Sequence, residues 1–264
     1  MGILPTANAQ TTLGLATTYH FFDYTEFDTF GNKYNKERGG IPGLELALKI
    51  KYFNQRLKSS LSATLLESDV KYTGRTNRGA LHTTRTDERI AILSMRTQLL
   101  FSHRSNRRFW TFLSLRNYEW QRDIRPKNNI AGLFEVYEWL ETSAGIRLNI
   151  ENKNVPSWAV EVSLLHTGLF NYFSPTIYVD LAQVEGGTTT LDLGSDTGYR
   201  LLFEISQNIQ HNMKVSVLTY HESWDFGRSN TQFSTGGARQ LLVTEPRSET
   251  RNSGLQFRLE ISLD

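Results

Sequence analysis

The chain of 264 residues has no cysteine, so neither a disulfide framework nor a thiolate metal site can exist in it. It also lacks any apolar run of roughly 18 residues, which excludes a transmembrane helix. A membrane is not excluded, because a barrel wall alternates apolar and polar residues and its mean hydropathy resembles that of a soluble protein. Charge of one sign is scarce: 29 basic against 27 acidic residues leave a net charge of +2, which makes no case for nucleic acid as a partner. The six histidines are scattered without zinc spacing and there is no glycine-rich phosphate loop, so neither a metal nor a cofactor is expected. No linker, fixed-period repeat or low-complexity tract divides the chain.

What the chain does have is aromatic residues, 12% of the total, and a strict two-residue alternation. In the last segment Leu255, Phe257, Leu259, Ile261 and Leu263 alternate with Gln256, Arg258, Glu260 and Ser262, a pattern that a helix would scatter around its circumference. The same period runs through Leu13 to Phe21, Leu44 to Tyr52, Leu57 to Leu65, Leu93 to Phe101, Phe112 to Arg116, Leu140 to Leu148, Trp158 to Leu164, Tyr199 to Ile205 and Lys214 to Leu218. That makes about ten strands, within a range of 8 to 12, in an all-β antiparallel transmembrane barrel.

Connection lengths alternate as well. Short links are expected near 53–57, 102–108, 151–157 and 207–213, and long ones over 23–43, 67–88, 119–138, 167–198 and 222–252. Short periplasmic turns and long outer loops are the habit of outer-membrane barrels. Periodicity alone leaves a soluble barrel or sandwich open, with the apolar set turned inward. At the start, Leu4-Pro5-Thr6-Ala7-Asn8-Ala9-Gln10 reads as the end of a secretory signal, since Ala7-x-Ala9 suits a signal peptidase. Residues 1–9 are then a signal remnant, and 10–264 form a single barrel domain exported to the bacterial outer membrane.

On that reading the lumen receives Glu45, Lys49, Lys51, Lys58, Arg96, Arg116, Glu141, Arg147, Glu161, Glu204, Lys214, Arg258 and Glu260. Ten strands enclose a narrow lumen, so these charges must pair or hold water. The expectation is a salt-bridged plug, with a narrow passive pore as the alternative. Phe21, Phe22, Tyr24, Tyr118, Trp120, Tyr137, Trp139, Tyr220 and Trp224 are expected to form an interfacial girdle. Arginines at 75, 78, 85, 89, 122, 125, 228, 239, 247 and 251 fall in the outer loops, where they face nearby carboxylates or lipopolysaccharide phosphates.

Ten strands with long outer loops resemble the omptin proteases, outer-membrane endopeptidases. The resemblance implies an aspartate pair and an Asp-His pair across the barrel mouth that activate water. Glu67-x-Asp69 lies where the first pair would be, while no Asp-x-His follows the seventh strand, where Leu165-His166-Thr167 offers His166 alone. His221-x-Ser223 resembles the His-x-Ser pair of outer-membrane lipid A deacylases, with Glu222 or Asp225 as orienting carboxylates. Trp224-Asp225-Phe226-Gly227-Arg228-Ser229-Asn230 and the segment Glu245 to Asn252 resemble proteobacterial outer-membrane barrels without an assigned activity. The resulting expectation is a monomeric, non-enzymatic barrel with a structural or surface-interaction role, partnered by outer-membrane lipid and lipopolysaccharide. A surface hydrolase is the alternative.

Overall fold

The computed structural model describes residues 9–53, 55–76, 79–152, 155–168 and 173–263. Most of the expected signal remnant (residues 1–8), the loop residue Arg78 and the terminal Asp264 lie outside the described residues. Ten long strands form the wall: β1 (Gln10–Phe27), β2 (Lys33–Tyr52), β3 (Leu57–Arg75), β4 (Leu81–Arg104), β5 (Arg107–Ile124), β6 (Leu133–Ile150), β7 (Ser157–Thr167), β10 (Thr197–Gln210), β11 (Met213–Phe226) and β15 (Arg247–Ser262). Each pairs antiparallel with the next, and β15 closes the ring on β1 from Thr12↔Ser262 to Phe27↔Arg247. Closure removes the edges on which a β-sheet would otherwise aggregate.

The apolar alternating set faces outward. Leu46, Leu113 and Leu164 are 64%, 69% and 72% exposed, and Leu13, Met95, Ile146, Phe203 and Phe257 belong to the same belt. Their neighbours in sequence point into the lumen, as Ala16, Arg116, Glu161 and Glu204 do. A belt of this kind, with charge inside, is an inverted protein built for an apolar solvent. Among the described residues no helix is long and apolar enough to cross a membrane.

Four tight links sit at one end, the turn end, at 53–56, 105–106, 151–156 and 211–212, as expected from the sequence. The other end, the loop end, differs from expectation. β1 and β2 continue to a short hairpin whose Asp28 caps the amides of Phe30 and Asn32, while β3 and β4 run on to Arg75 and Leu81, and β5 and β6 to Ile124 and Leu133. Much of what reads as loop over 23–43, 67–88 and 119–138 is therefore strand. The physical reason is an inversion of polarity along each strand. In β5, Phe112, Ser114, Arg116, Tyr118, Trp120, Arg122 and Ile124 all face inward, but beyond Leu115 the outward residues are Asn117, Glu119, Gln121 and Asp123. Past the belt, water lies outside and large aromatic and aliphatic side chains join the inward set, so the amphipathic signal fades or reverses and the segment no longer reads as the same strand.

Two connections carry extra structure. After β7 stops at Thr167, the hairpin of β8 (Thr176–Asp180) and β9 (Gly187–Asp192) takes its place beside the outer part of β6, from Phe134↔Asp180 to Glu138↔Thr176. Gly194 and Gly227 then bridge this hairpin's exit to the end of β11 through two backbone hydrogen bonds. A Cβ at Gly194 would lie 2.9 Å from the Gly227 Cα, so the close approach requires glycine there. The last connection holds β12 (Thr231–Phe233), β13 (Thr235–Gly236) and β14 (Leu242–Thr244); β12 pairs with β14, and β13 with β9.

Candidate functional site

The lumen is layered along the barrel axis. Nearest the turn end is a cavity of about 1060 Å³ that reaches the turn residues Gln55, Ser105, Asn106 and Asn152. Its charges are mostly matched within the lumen, some between adjacent strands and some across the barrel. Arg96 holds Glu161 bidentately at 2.8 and 2.7 Å, Arg147 joins Glu161 at 3.3 Å and also meets Glu204, Lys214 reaches Glu204 at 3.1 Å, Arg258 reaches Glu45 at 2.9 Å, and Lys49 pairs with Glu260. Arg116 bridges Glu141 at 2.7 Å and Glu222 at 3.2 Å. Every lumen charge expected from the sequence thus lies inside the wall, and alternation is why: residues two apart share a face. Such pairs roughly balance their desolvation, so they orient the lumen more than they stabilise it.

Above Arg116, the Tyr220 hydroxyl lies 2.6 Å from Nε2 of His20, and Arg200 stacks on the Tyr220 ring at 4.4 Å. Then the lumen closes. Tyr118 and Trp139 stack at 4.3 Å and 5°, Trp120 and Tyr137 at 4.8 Å, and Phe22, Trp224 and Phe226 pack their edges and faces against them. The pocket left where this aromatic layer meets His20 and Glu222 is about 10 Å³, room for about one water.

These rings correct the expected girdle. Of the nine aromatics, only Phe21 faces out, at 58% exposure; Phe22, Tyr24, Tyr118, Trp120, Tyr137, Trp139, Tyr220 and Trp224 are buried inside. They occupy the inward parity of their strands just past the belt, where an apolar interior replaces the charged one.

Above the aromatic layer, beyond the belt, lies a charged node centred on Arg122, whose position in the sequence suggests a solvated loop but which is fully buried. Its guanidinium donates to Glu37 at 3.1 Å, Glu135 at 2.6 Å, Glu26 at 3.2 Å and the Tyr137 hydroxyl at 2.8 Å, and sits 4.5 Å from the Tyr24 ring. Thr86 donates to Glu37 at 2.6 Å, Trp120 donates its indole N–H to Glu88, and Tyr137 donates to Glu245 at 2.8 Å. Five buried carboxyls thus surround one guanidinium, a combination whose full ionisation would leave uncompensated negative charge. Burial pushes the Glu88 and Glu245 carboxyls well up, reinforced by Glu37 and by Glu26 respectively. Burial likewise raises Glu135 to about 7 against the opposing pull of Arg122. Protons on these carboxyls therefore relieve part of the negative charge that one guanidinium cannot balance. The sequence signal for this node was the inward parity itself: continuing Arg116, Tyr118, Trp120 by two residues reaches Arg122, and its register partners on β4 and β6 are Glu88 and Glu135.

The candidate hydrolytic residues lie on the other face of the wall. Glu67 points outward and is exposed, and Asp69 is outward and ion-paired with Arg85. His166 also has the outward parity of β7. His221 and Ser223 share the outward face of β11, where His221 Nδ1 lies 3.0 Å from Ser253 Oγ; Glu222 faces inward to Arg116, and Asp225 pairs with Arg247 at 3.0 Å. None of these groups is brought together across the mouth. Among the loop arginines, Arg85, Arg125, Arg247 and Arg251 bind Asp69, Asp87, Asp225 and Glu249. Among the described residues no group of three His, Cys, Asp or Glu side chains is arranged to hold a metal.

No family model and no curated protein matches this sequence. Solved structures do resemble it. The outer membrane protease OmpT from Escherichia coli aligns with a TM-score of 0.65 and 9% identity over 100% of this chain and 99% of that one. The outer membrane protein OprG from Pseudomonas aeruginosa aligns at 0.40 and 6% identity (96% of each chain), and the translocator domain of the autotransporter NalP from Neisseria meningitidis at 0.40 and 10% (94% and 88%). The likeness to OmpT is one of fold: the chain has the architecture of an outer-membrane β-barrel of ten strands.

Proposed function

We propose that this chain resides in the bacterial outer membrane as a sealed barrel that carries no solute across it and acts as a structural or surface-interaction protein, through its long loop end. The observation that carries this reading is the double closure of the lumen: the aromatic layer of Tyr118, Trp139, Trp120 and Tyr137, backed by the buried Arg122 node. An aqueous path needs continuous polar space, and stacked rings with about one water's room among them deny it. The apolar belt supports residence in a bilayer, with the turn end periplasmic and the loop end outside. The partners are then membrane lipid and lipopolysaccharide, met by a monomer.

The test is a planar-bilayer recording of the refolded protein. Closed traces at moderate voltages are expected; steady single-channel conductance sinks the sealed reading. Incubation with peptides and with lipid A in parallel is expected to leave both intact, and cleavage abolished by Asp69→Asn or His221→Ala returns the hydrolase.

A further inference from the structure

The turn-end cavity has a charge imbalance at one place. Among the described residues ten lysines and arginines line it against five glutamates, and with Glu141 and Glu222 behind them three positive charges remain in excess. Two of the cations, Lys51 and Lys58, make no ion pair among the described residues, although both line the cavity. They are direct register partners on β2 and β3 and both take the inward face. Like charges directly opposite each other on adjacent strands repel and weaken the sheet. Among the described residues Lys51 has only the Gln10 side-chain oxygen as a hydrogen-bond partner, at 2.9 Å, and Lys58 lies over the Trp110 ring at 3.8 Å. Everywhere else in the basin a glutamate answers the cation.

We propose that the turn-end basin is a binding site for a small solute carrying a dianionic phosphoryl group, held between Lys51 and Lys58. The free groups are lysines, compact point charges that suit a tetrahedral dianion, whereas the arginine forks suited to planar carboxylates are already engaged with glutamates. Arg108, bound to Glu151 at 3.0 Å, stands at the same rim and adds to the attractive field. The wall separates these lysines from lipid on the outer face, so the ligand comes from the water at the turn end. This site lies below the aromatic closure and holds its ligand without passing it on, which goes beyond the sealed-barrel reading.

The experiment is isothermal titration of inorganic pyrophosphate into the protein refolded in a maltoside detergent, with succinate as the planar dianion and thermal unfolding measured alongside. Saturable pyrophosphate binding is expected, weakened by added salt and reduced at least about tenfold by Lys51→Gln or Lys58→Gln, the loss of one charge-assisted hydrogen bond. The Lys58→Arg variant, which keeps the charge, is expected to retain most of the affinity, and Arg85→Gln on the outer wall all of it. Pyrophosphate is expected to raise the unfolding midpoint of the wild type but not of Lys58→Gln, which relieves repulsion and unfolds no lower than wild type without ligand. The proposal is overturned if pyrophosphate does not bind saturably, if neither glutamine variant weakens it, or if succinate binds equally well. If Lys58→Gln does not fold, Lys51→Gln at the outer part of the rim decides alone.

Discussion

Tyr220 reaches His20 across a strand that has no side chain between them: Gly254 is the register partner of both, and a Cβ there would fall 2.2 Å from the Tyr220 ring. The hydroxyl-imidazole contact joins β11 to β1 over β15 and forms the floor beneath the aromatic layer.

Gly254→Val therefore has to displace the Tyr220 ring and break the contact with His20. Overpacking of this kind costs about 1–3 kcal/mol. A lower midpoint is expected in urea unfolding from lipid vesicles, with Tyr220→Phe giving a smaller loss; a Gly254→Val barrel as stable as wild type contradicts the packing described.

Trp139 is held between Tyr118, at 4.3 Å, and Phe226, at 5.1 Å. Trp139→Ala is expected to lose about 3–5 kcal/mol, the usual cost of removing a buried indole. Because the Arg122 node closes the lumen a second time, the single variant is expected to stay non-conducting in bilayers. Conductance appearing with Trp139→Ala alone places the whole seal in the rings.

Arg122→Met removes the one cation of the node and leaves Glu26, Glu37 and Glu135 without it. Breaking a buried charge network from one side costs about 3–5 kcal/mol at neutral pH. Acid should restore part of the loss, because protonated carboxyls no longer need the guanidinium. Unfolding midpoints of variant and wild type at pH 5 and pH 8 check both halves of this expectation.

Glu135 gives a pH dependence whose sign follows from its shift. Its folded value, about 7, lies above the ordinary 4.5, so the folded barrel binds a proton more tightly than the unfolded chain. That contribution is complete below about 4.5 and is lost as pH rises through about 7. Glu88 and Glu245, also raised, act in the same direction. Stability of the loop half is expected to fall between pH 5 and 8, and Glu135→Gln to flatten the fall; hydrogen exchange of the outer strands measures it.

Asp69→Asn is expected to leave the unfolding midpoint unchanged, since Asp69 meets only the exposed Arg85 on the outer wall.

The architecture was legible because a membrane barrel writes its two solvents into alternate positions: Leu255, Phe257 and Ile261 for lipid, Arg258 and Glu260 for the lumen. Strand number, the tight turns and the inward charges all follow from that period and from the alternating connection lengths. Alternation carries no direction, however, and the direction of the belt came only from the closed wall. It also carries no depth. Tyr118, Trp120 and Trp139 have the same parity as Arg116 and Glu141 and so face inward with them; only their height beyond the belt decides that they pack there as a seal rather than line a charged lumen. Arg122 could be given a parity from the sequence, but its burial depends on carboxylates from strands far apart in the chain: Glu26, Glu37, Glu88, Glu135 and, in the last connection, Glu245. Likewise Lys51 and Lys58 are seven residues apart and each reads as an ordinary lumen charge; the tight turn between them sets them opposite each other, but that no carboxylate answers them depends on barrel closure, which local sequence does not encode.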